Sequence, residues 1–540
     1  MVVTYLYTLI HATSLSFFTK CVVYVQLCFV LFFNQIYSIS LQVIKRISDL
    51  RGSGGYTKND FVDRHCHFVS YFRSIQQLRL FATMKYYSFF LLLSLSGFSF
   101  AQKGPGQDST IIRQFFDEAL VRGKSYEDLR SLCKGVGARL SGSAQAQMAV
   151  EWGKRKMETY GFDKIYLQPV MVPHWERGNK EVAWMQSSSG DVVPVDILAL
   201  GGSIGTNGLL KAEVIEFKTL DDLKKATKAS VQGKIVFLNQ AMNPADISTF
   251  KAYGGCYDIR GHGAVEGAKL GAVGVVIRSL ALPEDHFPHT GSMYYEKDIS
   301  KIPAGALSTI SSNELSKALS AGKVTLIMEM DCRDFPDEPS FNVMGELTGS
   351  EKPNEIITIG GHLDSWDAGE GAHDDGAGII HSLEALRILK VSGIKPKHTI
   401  RVVFFMNEEN GNKGGHAYAT WAKKEDQKQI AAVESDRGGF SPDGFECDGK
   451  ESYVKLIKGF APLLAPYDLH HFEAGYGGVD ISPLKLHYEG IPLFGFVPDS
   501  QRYFDFHHAA SDIFESVNKR ELELGCASMA AFVYLLDKSL

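Results

Sequence analysis

The chain is 540 residues long, 45% hydrophobic and 22% charged, with a formal net charge of -6. At roughly 100–200 residues per domain, two or three domains are expected, and the apolar fraction is ordinary for a globular protein with a large core. The mild acidity argues against nucleic acid or an anionic membrane surface as a partner.

From Met84 the chain reads MKYYSFFLLLSLSGFSFAQ: a lysine near the start, an apolar stretch, then Ser99-Phe100-Ala101 before Gln102. That order of parts predicts a secretory signal over residues 84–101, so a secreted or exported protein, periplasmic or extracellular, or lysosomal in a eukaryote. The competing reading is a buried core helix. Upstream, residues 21–44 carry no charge and are long enough to span a bilayer, but Gln26, Asn34, Gln35 and several serines interrupt them. Residues 1–83 are therefore read as an over-extended translation start outside the mature protein, with a membrane anchor at 21–44 as the alternative. The cysteines beyond the signal, Cys133, Cys256, Cys332, Cys447 and Cys526, are odd in number and scattered, so they imply neither a disulfide framework nor a thiolate zinc site.

Residues 103–110 form a Gly/Pro-rich linker. Apolar residues spaced by three and four predict helices over 111–120 and 144–160, the second stopping at Gly161, and a strand follows over 165–172. Residues 102–197 make a first catalytic part. Residues 198–333 have another texture, with short strands KIVFL (234–238) and AVGVVI (272–277), a glycine-rich stretch from Gly254 to Gly271, and a short helix over 264–270. This segment is expected to fold as a compact α/β module of its own. From 334 to 540 strands and helices alternate: strands at 355–360, 399–406 and 429–433, and a helix over 376–389. The expected fold class is α/β, a mixed, mostly parallel sheet with helices on both faces. Ligands gather at the carboxyl ends of such strands.

Polar motifs stand at those ends. Gly360-Gly361-His362-Leu363-Asp364 offers an imidazole and, two residues on, a carboxylate suited to hold its second ring nitrogen. His373-Asp374-Asp375-Gly376 sets paired carboxylates at a helix mouth amid glycines that permit close approach. Asn407-Glu408-Glu409-Asn410-Gly411 follows an apolar run directly, where an unpaired carboxylate is costly and a metal would compensate it. Glu434-Ser435-Asp436-Arg437 and Phe506-His507-His508-Ala509-Ala510-Ser511-Asp512 complete the set. Singly, each has a structural reading: a hydrogen-bonded turn, a helix cap, a strand end turning into solvent. Jointly they supply two imidazoles and three carboxylates, a donor set that suits Zn²⁺ and would also take Mn²⁺ or Co²⁺. Two metals about 3.5–4 Å apart would activate a bridging water and clamp a tetrahedral intermediate.

The string GGHLDSWDAGEGAHDDGAG (360–378), followed by NEENG, ESDRGG and FHHAASD, resembles the M28 family of metallopeptidases, and within it the carboxypeptidase Q group. The resemblance runs from about residue 111 to the end of the chain. It implies a zinc exopeptidase fold with the 198–333 module as an inserted protease-associated domain, and two Zn²⁺ per subunit. His362 and Asp436 would bind one zinc, Glu409 and His508 the other, and Asp374 would bridge them. Glu408 would be the general base, taking a proton from the bridging water and passing it to the leaving amine, and Asp364 would orient His362. His508 is chosen over His507 because Asp512 stands four residues later. Where some relatives carry a tyrosine just before the last histidine to stabilise the oxyanion, this chain has His507, so His507 or Tyr503 is expected in that role. The implied activity is hydrolysis of dipeptides or short peptides with a free terminus, and a homodimer is expected by the same likeness. Two competing functions share the fold, a non-catalytic receptor-like protein and a one-zinc glutaminyl cyclase. The full ligand set argues against the first, the insert against the second.

Overall fold

The computed structural model describes residues 106–540. The signal segment 84–101 and residues 1–83, with the apolar stretch 21–44, lie outside the described residues. Among the described residues no helix is long and apolar enough to cross a membrane.

Three helices come first, α1 (Gln107–Arg122), α2 (Ser125–Gly135) and α3 (Ala144–Thr159), followed by strand β1 (Lys164–Glu176). Strands β2 (Val182–Ser187), β3 (Val192–Pro194), β4 (Ile197–Ala199), β5 (Leu210–Phe217) and β6 (Ile235–Leu238) lead to helix α4 (Tyr257–Lys269). Strands β7 (Gly274–Arg278), β8 (Ala304–Leu307) and β9 (Val324–Glu329) close an eight-stranded sheet in the order β3-β2-β9-β5-β6-β7-β8-β4. The chain returns along β10 (Arg333–Leu347) and β11 (Lys352–His362) to helix α5 (Ala377–Val391), then β12 (His398–Phe405), helix α6 (Lys413–Lys424) and β13 (Lys428–Glu434). Strands β14 (Pro442–Asp448), β15 (His471–Ala474) and β16 (Leu493–Pro498) precede the final helix α7 (Lys519–Ser539). These strands and β1 form the second eight-stranded sheet, ordered β1-β10-β12-β11-β13-β16-β14-β15.

The middle of that sheet is the expected parallel core: β12, β11, β13 and β16 run the same way, with β10 and β14 antiparallel on either side. Every residue of β12 is buried. Ile400, Val402 and Phe404 point into the cluster shared with α5 and α7, whereas Val403 and Phe405 point into the opposite cluster with Tyr418 and Ala419 of α6. The strand period of two, with helices on both faces, explains the uninterrupted apolar run.

Two expectations about the other sheet change. It begins at Val182 rather than at 198, because β2 pairs with β9 along its whole length and β3 pairs with β2. Residues 182–197, assigned on sequence to the first catalytic part, thus contribute strands to that sheet; the β2–β9 pairing that places them spans more than a hundred residues and leaves no local mark. The glycine-rich stretch is also more regular than expected, since α4 starts at Tyr257 and runs through Gly261, Gly263 and Gly267. A Cβ at Gly263 would stand 2.7 Å from Leu238 Cδ1, and one at Gly267 would stand 2.9 Å from Val275 Cγ2. The glycines let the helix lie close on β6 and β7, offsetting the roughly 1 kcal/mol each costs in a helix.

Candidate metal centre

Three parallel strands deliver their ends side by side. His362 is the last residue of β11, Glu408 and Glu409 follow β12 after Met406-Asn407, and Asp436 follows β13 after Ser435. A turn over residues 372–376 brings in Asp374 ahead of α5, and His508 follows the short helix Tyr503–Phe506.

The neighbouring acids separate by role. Asp375 accepts from His362 N at 3.0 Å and Gly378 N at 3.0 Å, so it ties β11 to α5. Asp512 accepts from His373 N at 2.7 Å and Asp374 N at 3.1 Å, which leaves the Asp374 carboxylate free to face the other donors. The peptide bond between Asp374 and Asp375 is cis. Asp364 orients His362, but not through its carboxylate as the sequence led us to expect. Its backbone carbonyl lies 3.0 Å from His362 Nδ1, while the carboxylate is 3.9 Å from that atom and accepts instead from Asn407 N at 2.7 Å and Glu408 N at 3.1 Å. The carboxylate therefore shapes the turn that carries both glutamates.

The other four candidate ligands gather around Asp374. His362 Nε2 lies 3.2 Å from Asp374 Oδ1 and 3.6 Å from Asp436 Oδ1. His508 Nε2 lies 3.3 Å from Asp374 Oδ2 and 3.1 Å from Glu409 Oε2. One oxygen of Asp374 thus faces each side. His507 is also close, with Nε2 3.7 Å from Asp374 Oδ2 and its ring stacked on His508 at 3.5 Å between centroids. His508 has a positive φ of 63°, an uncommon backbone state for a side chain this size.

The electrostatics call for cations. Asp374 Oδ2 and Asp436 Oδ1 are buried with no hydrogen-bond partner among the described residues, a costly state unless something else satisfies them. Burial, reinforced by Asp436 and Asp374, pushes the Glu408 carboxyl up to about 8. Burial and Asp436 push Glu434 to about 8, and burial pushes Asp375, Glu409 and Asp480 well above the carboxylate range. Burial alone would lower His362, but Asp374 and Asp436 outweigh it and hold the imidazole well above its ordinary value. Burial drives His508 well below its ordinary value, and His507 down to about 3, so both are neutral. Neutral imidazole with carboxylate oxygen is a donor set for a divalent ion, and the orphaned oxygens fit one on either side of Asp374.

Beside these donors opens a cavity of about 500 Å³. Glu408, Tyr503 and His507 line it, and the inserted module supplies Tyr253, Tyr257 and Arg260. Arg260 went unnoticed in the sequence, where only its place in a glycine-rich run marked it. It is 5% exposed and forms no ion pair with a carboxylate among the described residues. Its Nη1 donates to Thr290 O at 3.3 Å, and its guanidinium lies 4.9 Å from the Tyr257 ring centroid and 5.4 Å from that of Tyr253. Asp480, buried behind the site with both oxygens unpartnered among the described residues, also carried no sequence signal.

Residues 342–533 match the model of peptidase family M28. The chain is 33% identical over 419 residues to carboxypeptidase Q of Bos taurus, covering 77% of this chain and 86% of that protein. It is 36% identical over 395 residues to carboxypeptidase Q of Xenopus laevis, covering 73% and 81%. Among solved structures it is similar to a peptidase M28 precursor from Shewanella amazonensis, with TM-score 0.76 at 33% identity over 80% of this chain and 97% of that one. A zinc aminopeptidase from Bacillus subtilis shares the fold at TM-score 0.55 and 21% identity, covering 76% and 94%.

Proposed function

The chain belongs to peptidase family M28 and is a metallo-exopeptidase; from that premise we propose that it binds two zinc ions and hydrolyses dipeptides or short peptides that end in a free carboxylate. His362 and Asp436 would hold one ion, Glu409 and His508 the other, and Asp374 both. Bound there, the ions would supply Lewis acidity, making water nucleophilic near neutral pH and stabilising the developing oxyanion. Glu408 reaches the cavity beside both ligand sets; it takes the proton from the attacking water and passes it to the departing amine. Zinc is the metal named for the Bacillus subtilis structure of the same fold, and the donor set suits it.

The observation that carries this reading is the placement of Asp374, one oxygen toward each histidine. A one-zinc cyclase would leave the second pair of ligands without a purpose, and a receptor-like protein would have no use for Glu408. The preference for a free carboxylate rests on Arg260, a buried cation without a protein counterion in the wall of the cavity. A guanidinium there would receive a carboxylate through paired, charge-assisted hydrogen bonds. The inserted sheet is read as a protease-associated domain that narrows the cleft around the substrate. Metal analysis together with a panel of free, amino-blocked and carboxyl-amidated dipeptides tests the proposal: two zinc per chain and hydrolysis confined to free-carboxylate substrates support it, and indifference to amidation overturns it.

A further inference from the structure

Four residues of the inserted module, His289-Thr290-Gly291-Ser292, run against the ligands of one metal position. Ser292 Oγ donates to Glu409 O at 2.6 Å. Thr290 N donates to His508 O at 3.0 Å, and His289 Nδ1 lies 2.7 Å from His507 O, where only an N–H can face that carbonyl. Thr290 O lies 3.2 Å from His508 Nδ1. The segment is itself tied down: Thr290 Oγ1 donates to Ala199 O at 2.8 Å, Gly201 N donates to Gly291 O at 3.0 Å, and Met293 N donates to Gly201 O at 3.1 Å.

We infer that this strap is the positioning element for the Glu409/His508 metal position, and that the His362/Asp436 position does not depend on it. The inference rests on the two-metal reading above. The tautomer of His508 is decisive. A ligating Nε2 needs its lone pair, so the ring proton must sit on Nδ1. Two groups face Nδ1, the Thr290 carbonyl, which only accepts, and Arg260 Nη1 at 3.4 Å, which only donates. With the proton on Nδ1, both Nδ1 and Nη1 point donors at the same Thr290 oxygen, which has two lone pairs to receive them. Gly291 makes the approach possible, because a Cβ on it would collide with the Arg260 guanidinium and come within 2.7 Å of His508 Nδ1. On the other side of Asp374, His362 takes the equivalent contact from Asp364 O, in the loop that leaves β11 and outside the insert. The two metal positions are therefore built differently, one by the large sheet's strand ends and loops alone and one by those together with the insert.

Zinc titration of the metal-free protein by calorimetry separates the two positions. Wild type is expected to fill two sites. In Ser292→Ala and in Gly291→Ala, one site weakens about 10–100-fold, the usual effect of losing a group that orients a ligand, and the other keeps its affinity. His289→Leu does the same, whereas His289→Asn, which keeps an N–H donor, restores much of the loss. In a Glu409→Gln background, where that position is already broken, adding Ser292→Ala leaves the remaining site unchanged. In Co²⁺-loaded Ser292→Ala the absorption of one site shifts and the other does not. Melting of the zinc-free variants checks that the fold is intact. Equal weakening of both sites, unchanged affinity at both, or a further loss in the Glu409→Gln background overturns the inference while leaving the two-metal reading in place. A wild type that takes up only one ion overturns both.

Discussion

Asp512 holds Asp374 by its backbone and not by its side chain. The two oxygens of one carboxylate receive the consecutive N–H groups of His373 and Asp374, at 2.7 and 3.1 Å, so the acid proposed to bridge the ions is aimed by a residue 138 positions away in sequence. Asp512→Ala leaves two buried donors unpaired, at a cost of about 1–3 kcal/mol each, and frees the turn. Zinc affinity is expected to fall about 10–100-fold at both positions, with Asp512→Asn milder because it keeps one acceptor. Titration of the metal-free variants checks this; a loss confined to one position would assign Asp512 to that side alone.

Glu408→Gln removes the proposed base and keeps the shape. We expect kcat to drop about 10²–10⁴-fold with both zinc ions retained by metal analysis. Full hydrolysis in the zinc-loaded variant would take Glu408 out of the mechanism. His507→Ala in the same assay separates chemistry from packing, since an unchanged kcat would leave Tyr503 as the candidate for the oxyanion.

Arg260→Ala is expected to lower kcat/KM for dipeptides with a free carboxylate by about 10–100-fold, the scale of a hydrogen bond to a charged group, mostly through KM. Any residual turnover of carboxyl-amidated dipeptides should not change. Arg260→Lys keeps the charge but not the paired geometry, so it should recover only part of the loss. If free and amidated substrates suffer equally, Arg260 is structural.

Acid should destabilise the fold through His381. The ring is fully buried on α5, 2.9 Å from Ser435 Oγ, and burial pushes it down to about 3. Between that value and the ordinary 6.5 the unfolded chain binds a proton that the native chain refuses. Its contribution is complete above pH 6.5 and drains away as the pH falls toward 3. At pH 5.5 the loss is on the order of 1 kcal/mol. Denaturant unfolding at pH 7.5 and 5.5 should show a smaller difference for His381→Gln than for wild type, by roughly that amount. An identical difference would mean that His381 is protonated in the native state.

What the sequence showed and hid follows from range of interaction. The apolar run of β12 and the acids immediately behind it were legible because burial on two faces leaves a local pattern. So were His362 and Asp436, each at or just past the end of a parallel strand. The helix through Gly261, Gly263 and Gly267 was only half legible: helix propensity argues against glycine, and its close seat on β6 and β7 is a tertiary fact. Asp364 was picked out for the right partner by the wrong atom, since a carboxylate and a backbone carbonyl of one residue look the same in sequence. Thr290, an unremarkable residue 218 positions before His508, could not be found without the fold.

The strap has a consequence for how this chain can be cut and recombined. Its insert, residues 182–329 by sheet membership, looks like a cassette, and a cassette invites exchange between relatives. On the proposed ligand set the seam runs through the coordination sphere: a transplanted insert must bring a carbonyl for His508 and a hydroxyl for Glu409 in register with the host's own loops. Chimeras that respect sheet boundaries but ignore that register should fold as two sound halves and load one ion well and the other poorly.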